Sequence, residues 1–273
     1  MVDLHTHTTA SDGTYSAVEL VREAARRRLR VLAITDHDST EGVEPAMVAA
    51  RECPPLVIVP GIEINTEGAG REVHILGYFI DHGAPWLQAL LGEFREERAA
   101  RIFRIADRLA ELGLPIDPAD VFALVREGSA GRPHVAQVML QKGYVRTVRE
   151  AFDRYLAAGR PGYVSHRKVD PREACDLIHR ATGLAVLAHP SFNEGSEALI
   201  RELAQERLLD GVESYYPEHS ASQTADFLGL CRELDLVPTG GSDFHGPPVR
   251  AATLGHPPVP WAAWEALRRR AGR

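Results

Sequence analysis

Short runs rich in β-branched residues alternate with amphipathic helical runs at both ends of this 273-residue chain, and this alternation restricts the possible folds more than any other feature. In the first 82 residues, VDLHTH, RVLAIT, LVIVPGIEIN and EVHILGYFI have the character of strands, with SAVELVREAARRR and EGVEPAMVAAREC as helices. The alternation resumes after about residue 162 with LAVLAH, DGVESYY and LVPTGGSDFHG. Strand–helix alternation favours a parallel sheet, and a chain of this length suits one α/β barrel.

The middle of the chain lacks this strand signal. Apolar residues recur at helical spacing in WLQALLGEFREERAARIFRIADRLAELG, PADVFALVREG, PHVAQVMLQKG and VREAFDRYLAAG. We therefore predict a barrel formed by residues 1–82 and 162–273, interrupted by an all-helical insertion at 83–161 that contributes substrate-binding residues.

Composition excludes several classes of protein. The net charge of −7 provides no global basic field for nucleic acid. Cys53, Cys175 and Cys231 are scattered, without a CxxC pair, which argues against a disulfide framework and a thiolate zinc site. No apolar run is long enough to cross a membrane, and MVDLHTH does not resemble a signal peptide. We expect a cytoplasmic protein without membrane contact, and no obligate protein partner is evident.

Histidines and carboxylates are concentrated where the apolar runs stop. Each has an ordinary structural alternative, such as a helix-capping aspartate or a turn histidine. In a barrel, however, these positions would converge on one mouth, which favours a shared metal cluster. With Asp12 from the first turn, the candidate ligands are His5, His7, Asp12, His37, Glu63, His74, His189, Asp243 and His245.

Six histidines and three carboxylates, with no thiolate, suit borderline divalent ions such as Zn²⁺, Mn²⁺ or Fe²⁺. Nine ligands are too many for one ion, whereas three ions sharing one bridging carboxylate would use them all. Glu63 is the natural bridge, because glutamate reaches two ions with its two oxygens. Such a cluster supplies hydroxide at neutral pH and neutralises the negative charge of a phosphoryl group. Phosphate ester hydrolysis, whose uncatalysed rate is very low, requires both effects.

The ordered motifs DLHTHTTASDG, ITDHDS, GIEI, EVHILGY, GRPHVA, AHP, ESYYPEHS and GSDFHG resemble those of the PHP (polymerase and histidinol phosphatase) family of metal-dependent phosphoesterases. The resemblance extends over nearly the whole chain. It is greatest to the branch with a GRPH-bearing helical insertion, whose members act as 3′,5′-nucleotide bisphosphate phosphatases and 5′–3′ exoribonucleases. It implies a distorted (β/α)₇ barrel and a nucleotide or short RNA as substrate.

The resemblance also implies three divalent ions per chain, Mn²⁺ in the first instance with Zn²⁺ and Fe²⁺ as alternatives. The implied groups are His5, His7, Glu63 and Asp243 for the first ion, Glu63, His74 and His189 for the second, and Asp12, His37 and His245 for the third. Glu63, His189 and Asp243 are the implied catalytic residues.

For the substrate, GRPHVA provides Arg132 and His134, since arginine binds phosphate through a planar fork. The stretch GRPGYVSHRKVDP adds Arg160, His166 and Lys168 as further candidates. The structural alternative is that Arg132 only begins a helix and that the others belong to a solvated loop.

Three other functions fit parts of the sequence. A histidinol-phosphate-type phosphomonoesterase is disfavoured by the GRPH insertion. A non-catalytic metal-binding PHP module is disfavoured because all nine candidate positions are filled. An amidohydrolase shares the HxH opening, but neither Lys142 nor Lys168 lies where a carboxylated barrel lysine is expected.

Overall fold

The computed structural model describes residues 1–68, 71–125, 130–165, 169–192, 195–247, 249 and 252–273. The strands are β1 Val2–Asp3, β2 Val31–Ile34, β3 Val57–Gly68, β4 Arg71–Tyr78, β5 Leu184–Leu187, β6 Gly211–Tyr215 and β7 Val237–Gly240. The helices outside the predicted insertion are α1 Ala17–Arg26, α2 Val43–Ala50, α7 Pro171–Arg180, α8 Ser196–Gln205, α9 Ala221–Glu233 and α10 Trp261–Arg270. Within 83–161 lie α3 Pro85–Glu111, α4 Pro118–Phe122, α5 Arg132–Gln141, α6 Val148–Ala151 and a π-helical turn at Phe152–Leu156.

In the described part of the chain, the seven strands form one sheet in sequence order, which confirms the predicted distorted seven-stranded barrel. The expectation of a wholly parallel sheet is wrong at one strand. β4 is antiparallel to both β3 and β5, whereas the other neighbouring strands are parallel. The reason is that no helix separates β3 from β4, so the chain turns directly back on itself.

The two ends of the chain close the barrel. The Leu4 amide donates to the Gly240 carbonyl at 3.2 Å, and the Asp243 amide donates to the His5 carbonyl at 2.9 Å. The buried Asp3 carboxylate accepts hydrogen bonds from the amide and hydroxyl of Ser242. Burial raises the pKa of Asp3 to about 6, although the hydrogen bonds from Ser242 partly offset this effect. This closure brings the His5 and Asp243 backbones side by side.

Helix α3 is shared between two hydrophobic cores. Leu87 and Leu91, in its first half, pack in a cluster with strand residues such as Ile64 and with α7. Ile105 and Leu109, in its second half, belong to a separate cluster formed within the helical region. The helical region therefore has its own core but is continuous with the barrel through one 27-residue helix. None of the helices in the described ranges is long and apolar enough to span a membrane.

Candidate metal centre

The candidate ligands Glu63 and His74 lie within strands rather than at strand ends, which differs from the expectation. Residue pairing between β2 and β3 ends at Ile34 and Pro60, so Glu63 lies just beyond the last β2 pairing. Because β4 runs in the opposite direction, His74 precedes the Ile75–Leu187 pair with β5. Both side chains therefore reach the mouth at which the parallel strands end.

Glu63 is fully buried and five histidines surround its carboxylate, among them His5, whose Nε2 lies 3.3 Å from Oε2. Its Oε1 lies 2.8 Å from His74 Nδ1 and 3.1 Å from His189 Nε2. Its Oε2 lies 2.9 Å from His37 Nδ1 and 3.3 Å from His7 Nε2. The carboxylate thus offers one oxygen to each of two groups of imidazoles, as a bridging ligand would.

Asp243 and Asp12 extend this cluster in two directions. Asp243 Oδ1 lies 3.1 Å from His7 Nε2 and 3.5 Å from His5 Nε2. Asp12 Oδ1 lies 3.3 Å from His245 Nε2, and its Oδ2 lies 3.9 Å from His37 Nε2. The structure therefore brings together all nine side chains that the sequence singles out.

The donor atoms group in four sets that could each hold an ion: His7, Asp12, His37 and His245; His5, Glu63 and His189; His5, His7 and Asp243; and His37, Glu63 and His74. These sets contain the same residues as the predicted three-ion grouping, but they assign the residues to the ions differently. His5, for example, is close to both Glu63 and Asp243.

Several buried polar atoms at this centre lie near other ligand atoms but form no hydrogen bond of suitable geometry with the described residues. They are His5 Nε2, both ring nitrogens of His7, Asp12 Oδ1, Glu63 Oε2 and His189 Nδ1. Buried polar atoms are almost always satisfied, and leaving one unpaired costs about 1–3 kcal/mol. Such a concentration of nitrogen and carboxylate donors fits divalent cations.

Mutual electrostatics shift the pKa values in this cluster. For Glu63, burial alone would raise the pKa, but the neighbouring His37, His5 and His74 hold it well below its usual range. For His74, burial alone would lower the pKa, but the charge of Glu63 raises it to about 9. His245 also has a pKa of about 9, because Asp12 and Asp243 outweigh its burial. Without cations, these two histidines are therefore protonated at neutral pH.

Three residues that sequence reasoning missed hold the candidate ligands in place. Glu213 Oε1 lies 2.9 Å from His5 Nδ1, and its Oε2 accepts the His189 amide hydrogen at 2.8 Å. The Tyr216 hydroxyl donates to Asp243 Oδ2 at 2.8 Å. Asn65 Nδ2 lies 3.3 Å from His37 Nδ1. Glu213 and Tyr216 fall within the ESYYPEHS motif, which was the one available signal.

The two aspartates flanking His37 accept hydrogen bonds from loop residues, Asn65 and Arg98, and none from a candidate ligand histidine in the described part of the chain. Asp36 accepts hydrogen bonds from the Thr8 amide and hydroxyl and from the Ser11 hydroxyl, so it fixes the loop between His7 and Asp12. Asp38 accepts from the Asn65 amide and side chain, and it is ion-paired with Arg98.

The cluster opens into a cavity of about 240 Å³ whose opposite wall is formed by helices α3 and α5. Arg98 and Arg101 come from α3, and Arg132 begins α5. The sequence singled out only Arg132. Arg98 and Arg101 are spaced three residues apart on one predicted helix, but the chain is rich in helical arginines and this spacing alone did not distinguish them.

The predicted substrate residues have different positions. Arg132 lines the cavity, and its Nη2 donates to Glu72 Oε2 at 2.6 Å. His134 is buried outside the described lining of this cavity, and its Nδ1 accepts the Gly131 amide hydrogen at 3.1 Å. It borders a neighbouring cavity of about 400 Å³ that also contains Asp12. Arg160 is exposed and does not line either of these cavities. His166 and Lys168 lie outside the described residues.

A seven-stranded barrel with a carboxylate–imidazole cluster at its mouth and arginines opposite defines a metal-dependent hydrolase of phosphate esters. The PHP domain model matches residues 3–164, and the chain belongs to the PHP family. It is 36% identical to the 5′-3′ exoribonuclease Rnm of Escherichia coli, over 90% of this chain and 85% of that protein.

It is 34% identical to the 3′,5′-nucleoside bisphosphate phosphatase of Chromobacterium violaceum, over 98% of this chain and 97% of that protein. A crystal structure from Bifidobacterium adolescentis, described as that of a metal-dependent phosphoesterase, superposes with a TM-score of 0.88 at 30% identity, covering 100% of this chain and 98% of the other. The predicted family, the enzyme class and divalent metal binding are thereby confirmed.

Proposed function

We propose that this enzyme cleaves the bond between the ribose O3′ and phosphorus in nucleotides that carry a 5′-phosphate. With a nucleoside 3′,5′-bisphosphate it releases the 3′-phosphate. With a short 5′-phosphorylated RNA, the same bond joins the first nucleotide to the second, so its cleavage removes nucleotides from the 5′ end. One site thereby accounts for both activities.

One observation carries this proposal: the candidate metal ligands and three arginines face each other across a single cavity. Glu72 spans the two walls, because its Oε2 accepts from Arg132 Nη2 at 2.6 Å and its Oε1 lies 3.7 Å from His74 Nε2. A substrate with two phosphates can place one at the metal ligands and the other at the arginines. A monoester such as histidinol phosphate has only one such group.

The nine clustered side chains would hold three divalent ions, with Mn²⁺ as the first choice and Zn²⁺ or Fe²⁺ as alternatives. When bound, such ions polarise the phosphoryl oxygens and lower the pKa of water. Glu63 and Asp243 orient the histidines around the scissile phosphate. His189 lines the cavity and would hold an ion beside O3′, and the proton that O3′ takes up as the bond breaks would come from water. The insertion at 83–161 positions the nucleoside and its other phosphate.

The function is tested by measuring phosphate release with Mn²⁺ from adenosine 3′,5′-bisphosphate, adenosine 3′-monophosphate, histidinol phosphate and p-nitrophenyl phosphate. Nucleotide release is measured in parallel from RNA trimers with and without a 5′-phosphate. We expect the bisphosphate and the 5′-phosphorylated RNA to be preferred over their partners that lack the 5′-phosphate. A preference for histidinol phosphate would overturn the proposal.

The metal centre is tested separately with Glu63→Ala. This variant should lose turnover and contain less bound metal than the wild type, as measured by elemental analysis. Glu96→Ala, on the helix α3, is the matched control and should retain both. Full activity in Glu63→Ala would contradict the proposed role of the cluster.

A further inference from the structure

Arg101 is buried, with a relative accessibility of 7%, in the cavity wall opposite the metal ligands. Its Nε donates to the Val164 carbonyl at 2.7 Å, which fixes the direction of the guanidinium. Its Nη2 is buried and has no hydrogen-bond partner among the described residues. An unpaired buried donor on a charged group is costly, so this position favours an incoming acceptor.

The other two arginines of this wall already have carboxylate partners. Arg98 is paired with Asp38, and Arg132 is paired with Glu72. Over the described residues, Arg101 has no carboxylate within ion-pair distance. Of these three arginines, only Arg101 therefore lacks a carboxylate in direct contact with its guanidinium.

Tyr163 brings the guanidinium groups of Arg101 and Arg132 to one place. The Arg101 Cζ lies 5.4 Å from the centre of the Tyr163 ring, and the Arg132 Cζ lies 5.8 Å from it. Such contacts orient the planar guanidinium groups and are modestly favourable. Burial, and then the charge of Arg132, lower the pKa of Arg101 to about 10, which still leaves it charged at neutral pH. Two neighbouring guanidinium groups, only one of which is paired with a carboxylate, leave a net positive charge that favours a further anion.

We propose that Arg101, acting with Arg132, binds the phosphate that the substrate retains, and that Arg101 thereby determines the preference for nucleotides with a 5′-phosphate. This inference rests on the proposed function. Glu72 contacts both Arg132 and His74, so the arginines and the metal ligands are close enough for one nucleotide to reach both with its two phosphates. The retained phosphate supplies the acceptor that Arg101 Nη2 lacks.

The test compares Arg101→Met and Arg101→Lys with the wild type. The matched control is Arg104→Met, an exposed arginine on the same helix that pairs with Glu97. Loss of a charge-assisted hydrogen bond should raise the KM for adenosine 3′,5′-bisphosphate by about 10- to 100-fold in Arg101→Met. Arg101→Lys should give a smaller increase, because it keeps the charge but loses the fork. Hydrolysis of p-nitrophenyl phosphate, which has no second phosphate, should change much less than hydrolysis of the bisphosphate in both Arg101 variants, and should keep its wild-type rate in Arg104→Met.

Binding of adenosine 5′-monophosphate and of adenosine to each protein, measured by calorimetry, provides a second readout. The wild type should bind the nucleotide more tightly than adenosine; Arg101→Met should lose most of this difference and Arg101→Lys a smaller part of it. Two results would overturn the assignment. One is an equal loss of activity toward adenosine 3′,5′-bisphosphate and p-nitrophenyl phosphate in a folded Arg101 variant. The other is a wild-type KM for the bisphosphate in Arg101→Lys. Failure of the wild type to hydrolyse any of these esters would instead refute the proposed function, and nucleotide binding would still test Arg101.

Discussion

Glu213 shows how a buried residue can determine metal affinity from behind the ligands. One carboxylate oxygen lies against His5 Nδ1 and the other accepts the His189 amide hydrogen, so a single side chain fixes two candidate ligands. A carboxylate in this position sets the ring orientation and raises the basicity of the opposite ring nitrogen, here His5 Nε2. That nitrogen faces Glu63 and Asp243.

We predict that Glu213→Gln lowers metal affinity by about 10- to 100-fold, because the amide keeps the shape of the side chain but removes its charge. Titration of the metal-free protein with Mn²⁺ measures this change. Glu52→Gln, at an exposed position after α2, is the matched control and should bind metal as the wild type does. Unchanged affinity in Glu213→Gln would show that His5 does not need this partner.

The pKa shifts at the cluster predict that metal affinity rises with pH. His74 and His245, with pKa values of about 9, must lose their protons before they can bind a cation. Between pH 6.5 and 8.5 we expect stronger Mn²⁺ binding at each step, with proton release measurable by calorimetry in two buffers. His179→Gln changes a histidine bonded to Asp210 and should leave this dependence unaltered. A pH-independent affinity would contradict the prediction.

The same shifts predict how the metal-free protein responds to pH. The pKa values of His74 and His245 are raised in the folded protein, so their stabilisation is present below pH 6.5 and is lost as the pH rises through about 9. Glu63 and Asp12 have lowered pKa values, so their stabilisation is present above their ordinary pKa values and is lost at more acidic pH. Thermal unfolding without metal should therefore show a decline in stability as the pH rises from neutral toward 9, and a second decline in strong acid.

At this scale, the sequence predicts residues whose type is unusual for their position. A histidine at the end of an apolar run, such as His189, is noticeable without a structure. Arg101 is not, because an arginine on an amphipathic helix is ordinary until the fold shows that its face is buried. Glu213 was hidden for a similar reason, since a glutamate within a strand has many possible roles.

Among the elements, the close approach of β1 and β7 positions the metal centre. Gly241, directly after β7, makes this close approach possible. A Cβ at this position would overlap the backbone nitrogen and Cα of His5. We predict that Gly241→Ala lowers stability by about 1–3 kcal/mol and also weakens Mn²⁺ binding, because the His5 backbone must move. Thermal unfolding and metal titration measure the two effects.

Gly229 provides the matched control for this substitution. It lies within helix α9, and the nearest side-chain atom to an added Cβ is Arg232 Nη2 at 4.0 Å. Gly229→Ala should stabilise the protein by about 0.5–1 kcal/mol through helix propensity and leave metal binding unchanged. Wild-type stability and affinity in Gly241→Ala would show that the two strands can separate without cost.

Element types were more predictable than element directions. The alternation of strand and helix patterns indicates a barrel, but a strand has the same pattern in either direction, so the antiparallel orientation of β4 was not foreseeable from its residues. The first strand is also shorter than its pattern, since β1 ends at Asp3 and Thr6 pairs with Phe244 only through an isolated bridge.

The whole molecule depends on the metal centre because its ligands come from both ends of the chain. His5 and His7 follow the first strand, whereas Asp243 and His245 follow the last. His7 links the two groups, because its Nε2 lies 3.3 Å from Glu63 Oε2 and 3.1 Å from Asp243 Oδ1. Without cations, the unpaired donor atoms of this centre remain buried between the two ends. Cations that bind only the folded chain therefore stabilise it as a whole.

We predict that removal of metal by a chelator lowers the unfolding temperature of the wild type by about 5–10 °C, as expected when a cation is present at about 100 times its Kd. The Glu63→Ala variant should show a smaller shift in unfolding temperature. It lacks the carboxylate whose two oxygens each lie against a different group of candidate ligand histidines. Readdition of Mn²⁺ should restore the wild-type value, which separates metal loss from irreversible damage. Equal shifts of the unfolding temperature in the two proteins would mean that the stabilising cations bind elsewhere. A shift confined to the wild type would link the folding of both chain ends to this one cluster.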